Sequence, residues 1–149
     1  TLLDSTQLLT DLVAPAGVLS KARPTDAMDR DFAFGYRIAD AIAGVDVGQT
    51  VVVKDRAVVP VEGMEGTDAA ILRAGQLAGP GTRVVKVAKP KQDMRFDVPV
   101  VGVATVTAMT EAGADALTVH AGRTLILDGE EFIRAADRAG LVVIGRSRA

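Results

Sequence analysis

From Thr67 onward the chain repeats one pattern. "TDAAILRAGQLAG" runs into "TRVVKVA", "VTAMTEAGA" into "DALTVHAG", and "EEFIRAADRAG" into "LVVIG". The first member of each pair spaces its apolar residues as a helix does and stops at or beside a glycine, the residue that most readily takes the left-handed turn ending a helix. The second member is a short apolar run, as expected of a strand covered on both faces. This alternation reads as α/β, with recurrent helix–strand units rather than a repeat array.

The upstream half adds a different motif. "TVVVKDRAVVPVE" holds two valine-rich runs around Lys54-Asp55-Arg56, with too few residues between them for a crossover, so it predicts an antiparallel hairpin. The turn has no glycine, which argues for a looser connection than a two-residue primed turn. Before it, Asp4 or Ser5 can cap a helix carrying Leu8, Leu9, Leu12 and Val13 and ended by Pro15 and Gly17. Thr25 can cap a longer helix whose stripe is Ala33, Phe34, Ile38, Ala41 and Ile42, down to Gly44. The expected fold is α/β, a mixed sheet with a hairpin and covering helices, formed as one domain over 1–149. The chain opens at Thr1 rather than Met and enters a helix signal at once, which reads as a piece of a longer protein.

Composition narrows the function classes. Seventeen Lys and Arg against 19 Asp and Glu give a formal charge of −2, so no global field draws in nucleic acid or anionic membrane. Five aromatic residues are too few for a base-stacking platform. Without cysteine there is no disulfide, thiolate metal site or thiol nucleophile, which suits a cytosolic protein. The apolar runs are far shorter than the roughly 20 residues that span a bilayer.

Two polar stretches stand out. In "VEGMEGTDAA", Glu62 and Glu65 precede Gly66, while Thr67 and Asp68 open a helix. A helix cap alone accounts for Thr67 and Asp68. The sharper reading is that free N–H groups at a helix start hold phosphate and that neighbouring carboxylates hold a divalent cation. Glu62 and Glu65 exceed what a cap needs. "KPKQDMRFDVP" packs three cations, two carboxylates and two prolines into eleven residues, just after a strand. Pro90 and Pro99 leave at most about two helical turns, so this is an ordered loop at a sheet edge, where α/β proteins bind ligands. Lys86, Lys89, Lys91 and Arg95 are suited to anionic oxygens, and Asp93 and Asp97 to a hard cation or a water proton. The bland alternative is a solvated loop whose charges pair among themselves.

Other signals are weaker. His120, the only histidine, closes a strand and reads more readily as a hydrogen-bonded strand end than as a base. Ser5, Ser20 and Ser147 have no partner base, and neither a GxSxG elbow nor a dinucleotide or P-loop glycine pattern occurs.

The strings "VDVGQTVVVKDRAVVPVEGMEGTDAAILRAG", "KVAKPKQDMRFDVPVVGVATVTAMTEAGADAL" and "AGRTLILDGEEFIRAADRAGLVVIG" carry a resemblance. Across roughly 5–145, and most densely from 44 onward, the chain resembles the C-terminal domain of the LpxI-type UDP-2,3-diacylglucosamine pyrophosphatases. "VExxEGTD" and "KPxQDxRFDxP" are its most specific motifs. The resemblance implies a cytoplasmic enzyme of lipid A synthesis that hydrolyses UDP-2,3-diacylglucosamine to UMP and 2,3-diacylglucosamine 1-phosphate (lipid X) with Mg²⁺ or a similar ion. It also implies an N-terminal domain outside this chain, transient contact with the inner-membrane surface, and room for a homodimer. Carried over by motif position, Asp93, Arg95 and Lys89 are the catalytic candidates, and Thr67, Gln92 and Lys86 the substrate-binding ones. Glu62, Glu65, Asp68 and Asp97 are the candidate metal ligands.

Charge explains the crowding of acids and bases. Carboxylates alone repel a diphosphate, and a cation between them reverses that sign. For the acyl chains, Leu8, Leu12, Phe32, Phe34 and Ile38 offer apolar surface, but helix stripes of this kind are more often core. The alternative is a noncatalytic module that binds a nucleotide sugar or phosphate with the same charges.

Overall fold

A computed structural model describes residues 9–91 and 93–147. Its elements run, after a 3-10 turn at Thr10–Leu12, as β1 (Gly17–Val18), α1 (Asp26–Gly44), β2 (Thr50–Lys54), β3 (Ala57–Val61), α2 (Thr67–Ala78), β4 (Arg83–Lys86) and β5 (Val100–Val101). There follow α3 (Val103–Ala112), β6 (Ala116–His120), β7 (Leu125–Ile126), α4 (Gly129–Arg138) and β8 (Val142–Arg146).

Six strands form one mixed sheet in the order β1-β8-β6-β4-β2-β3, and β5 pairs with β7 in a small parallel ribbon. The three late strands, β4, β6 and β8, are parallel neighbours. The hairpin β2–β3 and the short β1 run antiparallel on either flank. Successive side chains of a strand face opposite sides, so the valine runs supply two cores at once. Val84, Leu117, Val119 and Val143 meet Ile71, Ala74, Met109 and Phe132 beneath α2, α3 and α4. Val51, Val53, Val85 and Val87 meet Phe32, Ala39 and Ala43 of α1 on the other face. Gly35 lets α1 lie close to the sheet, because a Cβ there would stand 2.8 Å from a Val85 methyl.

The helix starting after Thr25 forms as expected, with the Thr25 hydroxyl accepting from the Met28 N–H at 3.2 Å. Its buried stripe differs from the expected one. Phe32, Gly35, Ala39 and Ala43 face the sheet, while Ala33 and Ala41 are exposed and Phe34, Ile38 and Ile42 are half-buried. The glycine at 35 draws the helix in along a line that hydrophobicity alone does not mark.

Two further expectations need correction. Leu12 lies in a 3-10 turn and Val13 bridges Leu125, so this stretch is not an α-helix; Asp4, Ser5 and Leu8 lie outside the described residues. The hairpin turn is a tight two-residue one despite lacking glycine, with Asp55 at φ 50 and Arg56 at φ 59. The buried carboxylate of Asp31 on α1 supplies the reason. It accepts the N–H of Asp55 at 3.2 Å and of Arg56 at 2.7 Å, and also the Arg83 guanidinium at 2.7 Å. Tertiary hydrogen bonds thus hold a left-handed turn that local propensity disfavours.

Candidate active site

A cleft of about 430 Å³ opens at the carboxyl ends of the parallel strands. Its walls are two helix starts. Gly66, at φ 88, precedes α2, and the first N–H to reach back along that helix is Ala70, 3.2 Å from the Gly66 carbonyl. The N–H groups of Thr67, Asp68 and Ala69 therefore have no acceptor within the helix. In α3 the Thr105 N–H reaches the Gly102 carbonyl at 2.9 Å, which leaves Val103 and Ala104 in the same condition. All five residues line the cleft. Each helix start carries partial positive charge, so the two together favour an anion between them.

At the cleft's base lies Lys86, only 7% exposed. Its ammonium donates to the Thr67 hydroxyl at 2.8 Å and to the Val100 carbonyl at 2.9 Å. The Thr67 hydroxyl in turn donates to Glu62 Oε2 at 3.2 Å. With that proton used, Thr50, whose hydroxyl lies 3.3 Å away, must be the donor to Thr67. Thr67 sits at the first helical position behind Gly66 rather than acting as the cap, and its hydroxyl is spent on this network.

Burial pushes the Lys86 ammonium below the ordinary lysine range, while the nearby carboxylates of Glu62, Asp68 and Asp97 work against that shift. Glu62 and Asp68 come from the first polar stretch and Asp97 from the second, so the fold brings members of both onto one buried cation. Of these acids only Asp68 lines the cleft; Glu62 reaches it through Thr67, and Asp97 is held by Lys89.

The remaining candidates are placed less uniformly. Glu65 lines the cleft but is held by Arg73, which also donates to the Val61 carbonyl at 3.1 Å; that guanidinium keeps the Glu65 carboxyl below the usual range. Lys89 bridges Asp46 at 2.6 Å and Asp97 at 3.1 Å, and both partners raise its pKa. Asp93 and Arg95 form a two-pronged pair, with Arg95 Nη2 2.6 Å from Asp93 Oδ2, in a loop that follows the cleft's base rather than lining it. The Arg95 guanidinium, then its backbone N–H, hold the Asp93 carboxyl down to about 2. Gln92 lies outside the described residues. The loop's charges thus pair among themselves and with Asp46, as expected of a solvated loop. His120 is buried at the end of β6, edge-on to Tyr36 with ring centroids 6.1 Å apart, away from the cleft lining.

A metal ion at this cleft would have few protein ligands. Among the described residues no group of three or more His, Asp or Glu side chains is gathered to cage a cation. Mg²⁺, however, commonly takes only one or two carboxylates and completes its shell with water and substrate phosphate. Asp68 at the cleft wall is a carboxylate of that kind, whereas Asp97 is held by Lys89 and does not line the cleft.

Sequence reasoning missed the start of α3 and the residue opposite it, Asp128, which also lines the cleft and stands at φ 56. The small ribbon β5–β7 carries both to the site, with Leu127 N–H donating to the Val101 carbonyl at 2.8 Å. Gly102 before a run of small and β-branched residues was the only available signal.

Two helix starts, a buried ammonium and flanking carboxylates at the carboxyl edge of a mixed sheet define an α/β domain with a built anion cleft. Within that class the chain belongs to the family of LpxI C-terminal domains, whose family model matches residues 15–144. It is 35% identical over 147 residues to the UDP-2,3-diacylglucosamine pyrophosphatase LpxI of Caulobacter vibrioides, a match covering 93% of this chain and 52% of that protein. The chain spans about half the length of this curated relative.

Proposed function

We propose that this chain is the phosphate-handling part of a cytoplasmic enzyme that hydrolyses the diphosphate of UDP-2,3-diacylglucosamine, releasing UMP and lipid X. The observation that carries this reading is the convergence of the α2 and α3 N-termini with the Lys86 ammonium on one cleft. Attack by water on a diphosphate builds negative charge on phosphoryl oxygens, and donors already aimed at that charge lower the barrier. Lys86 and the N–H groups of 67–69 and 103–104 receive those oxygens. Thr67, fixed by Thr50 and Glu62, keeps the ammonium pointed at the cleft. Asp68, with Asp97 if released from Lys89, would hold a Mg²⁺ ion, which would supply charge neutralisation for the phosphates. Asp93, ionised at any physiological pH, orients the attacking water once the loop turns it from Arg95 to the substrate. Arg95 and Lys89, now ion-paired, then face phosphate oxygens. A bidentate Arg95 contact would not survive Arg95→Lys, because lysine presents a point charge. The diacyl substrate is drawn from the membrane surface, and the rest of the longer protein completes its binding site.

The experiment is release of UMP from UDP-2,3-diacylglucosamine by the full-length protein, with and without Mg²⁺, run in ¹⁸O-labelled water to locate the attacked phosphorus. Turnover lost in Asp93→Ala with binding retained supports the assignment. Binding of the nucleotide sugar with no UMP released would make the domain a noncatalytic binding module.

A further inference from the structure

A second charged cleft lies away from the candidate active site. It has a volume of about 690 Å³ and is lined by Arg30, Ala33, Phe34 and Arg37 of α1 and by Asp55 and Arg56 of the β2–β3 turn. That turn sits beyond the start of β4, where Val53 pairs with Arg83, whereas the candidate active site lies past the other end of the strand at Lys86. The two sites are on opposite edges of the sheet.

Three features set this cleft apart from an ordinary solvated surface. First, Arg73, Arg83, Arg95, Arg134, Arg138 and Arg146 each pair with a carboxylate. Arg30, Arg37 and Arg56 make no salt bridge among the described residues, and they are gathered in one place. Second, the buried acid beside the turn is committed elsewhere. Asp31 is 2% exposed and gives its oxygens to Arg83 and to the backbone N–H groups of Asp55 and Arg56. Third, those same bonds hold Arg56 at φ 59, a conformation that a side chain such as arginine rarely adopts, and thereby fix the turn against α1. Strain of this kind persists only where the surrounding structure imposes it. Arg30 and Arg37, seven residues apart, stand two turns along one helix face with Ala33 and Phe34 between them. The lining carries three guanidiniums against the single carboxylate of Asp55, in a chain of formal charge −2.

We propose that this cleft is a second anion site, which binds a phosphate-bearing group through Arg30, Arg37 and Arg56. Guanidinium is the side chain best matched to phosphate, since its planar fork makes paired hydrogen bonds to two oxygens. Phe34 and Ala33 give the cleft an apolar wall as well, suited to the carbon skeleton next to the phosphate. The group belongs either to a soluble diphosphate or to an anionic lipid headgroup. This assignment does not depend on the reading of the candidate active site.

Two arms of one experiment separate these sources. Pyrophosphate is titrated into ¹⁵N-labelled protein, and vesicles of phosphatidylcholine with or without phosphatidylglycerol are co-sedimented with it. Each is repeated with the Arg30→Gln/Arg37→Gln double variant, whose exposed positions leave the fold intact by circular dichroism. A soluble ligand predicts pyrophosphate shifts at the amides of Ala33, Phe34 and Arg56, with affinity about tenfold or more weaker in the variant. A headgroup predicts sedimentation that requires phosphatidylglycerol, fades with salt and is lost in the variant. The proposal is overturned if pyrophosphate shifts only residues 66–69 and 102–105, or shifts residues 33, 34 and 56 equally in the variant, and vesicle binding is absent or identical in the two proteins.

Discussion

The ammonium of Lys86 and the hydroxyl of Thr67, 2.8 Å apart, tie the last residue of β4 to the first residue of α2. The contact joins a strand end to a helix start at the cleft, while the buried face of α2, with Ile71 and Ala74, holds the helix on the sheet. Thr67 accepts from both Lys86 and Thr50 and donates to Glu62, so its hydroxyl has no bond left to change.

Thr67→Val keeps the shape of the side chain and removes all three of those bonds. The expected result is a loss of about 1–3 kcal/mol in stability, the range for leaving buried partners unsatisfied, and a severalfold weaker hold on a diphosphate. Urea denaturation and calorimetric titration read the two effects separately.

Asp31→Ala strikes the other end of the sheet. It leaves Arg83, whose side chain is 13% exposed, with only the partly exposed Asp115, and strips the left-handed turn of both its acceptors. Breaking a buried pair from one side typically costs about 3–5 kcal/mol, so urea denaturation should show a loss in that range. A loss below about 1 kcal/mol would mean that Asp31 does not hold the turn.

Asp93 should titrate far below an ordinary aspartate. Arg95 holds the Asp93 carboxyl down to about 2 from the ordinary 3.8, so the favourable pairing is fully present above about pH 4 and is lost as pH falls through about 2. A ¹³C titration of the Asp93 carboxyl measures this directly, and Arg95→Gln should move the midpoint up toward the ordinary value.

Gly75→Ala tests how tightly α2 and α3 pack. In an exposed helix the change would stabilise by up to about 1 kcal/mol. Here the new Cβ would stand 2.6 Å from the Ala112 carbonyl oxygen, a backbone atom that cannot swing aside. The melting temperature is therefore expected to fall.

Much of this molecule is legible in its sequence because its elements are locally consistent. The helix–strand alternation from Thr67 onward appears as α2, β4, α3, β6, α4 and β8, each near its expected place. The misreadings share one cause, which is that the deciding contact is distant in sequence. Asp31 closes the Asp55–Arg56 turn from 24 and 25 residues away. Gly35, not hydrophobicity, selects the buried stripe of α1. In the site, residue type marked Glu62 and Asp68 by a helix start and Lys86 and Asp97 by a sheet edge; Asp68 and Lys86 line the cleft, Glu62 reaches it through Thr67, and Asp97 pairs with Lys89. Residue type gave no hint of the α3 start, because bare backbone N–H groups leave no mark on it.

The claim on which the account rests is that the Lys86 ammonium and two helix starts form one anion seat. Titration of uridine 5′-diphosphate with Mg²⁺ into ¹⁵N-labelled protein, followed at the amides of residues 67–69 and 103–104 in the native chain and in Lys86→Met, tests it most directly. The account predicts that both sets of amides shift together in the native chain, and that affinity falls about tenfold or more in the folded variant. Shifts absent from either helix start, or an affinity unchanged by Lys86→Met, would contradict it.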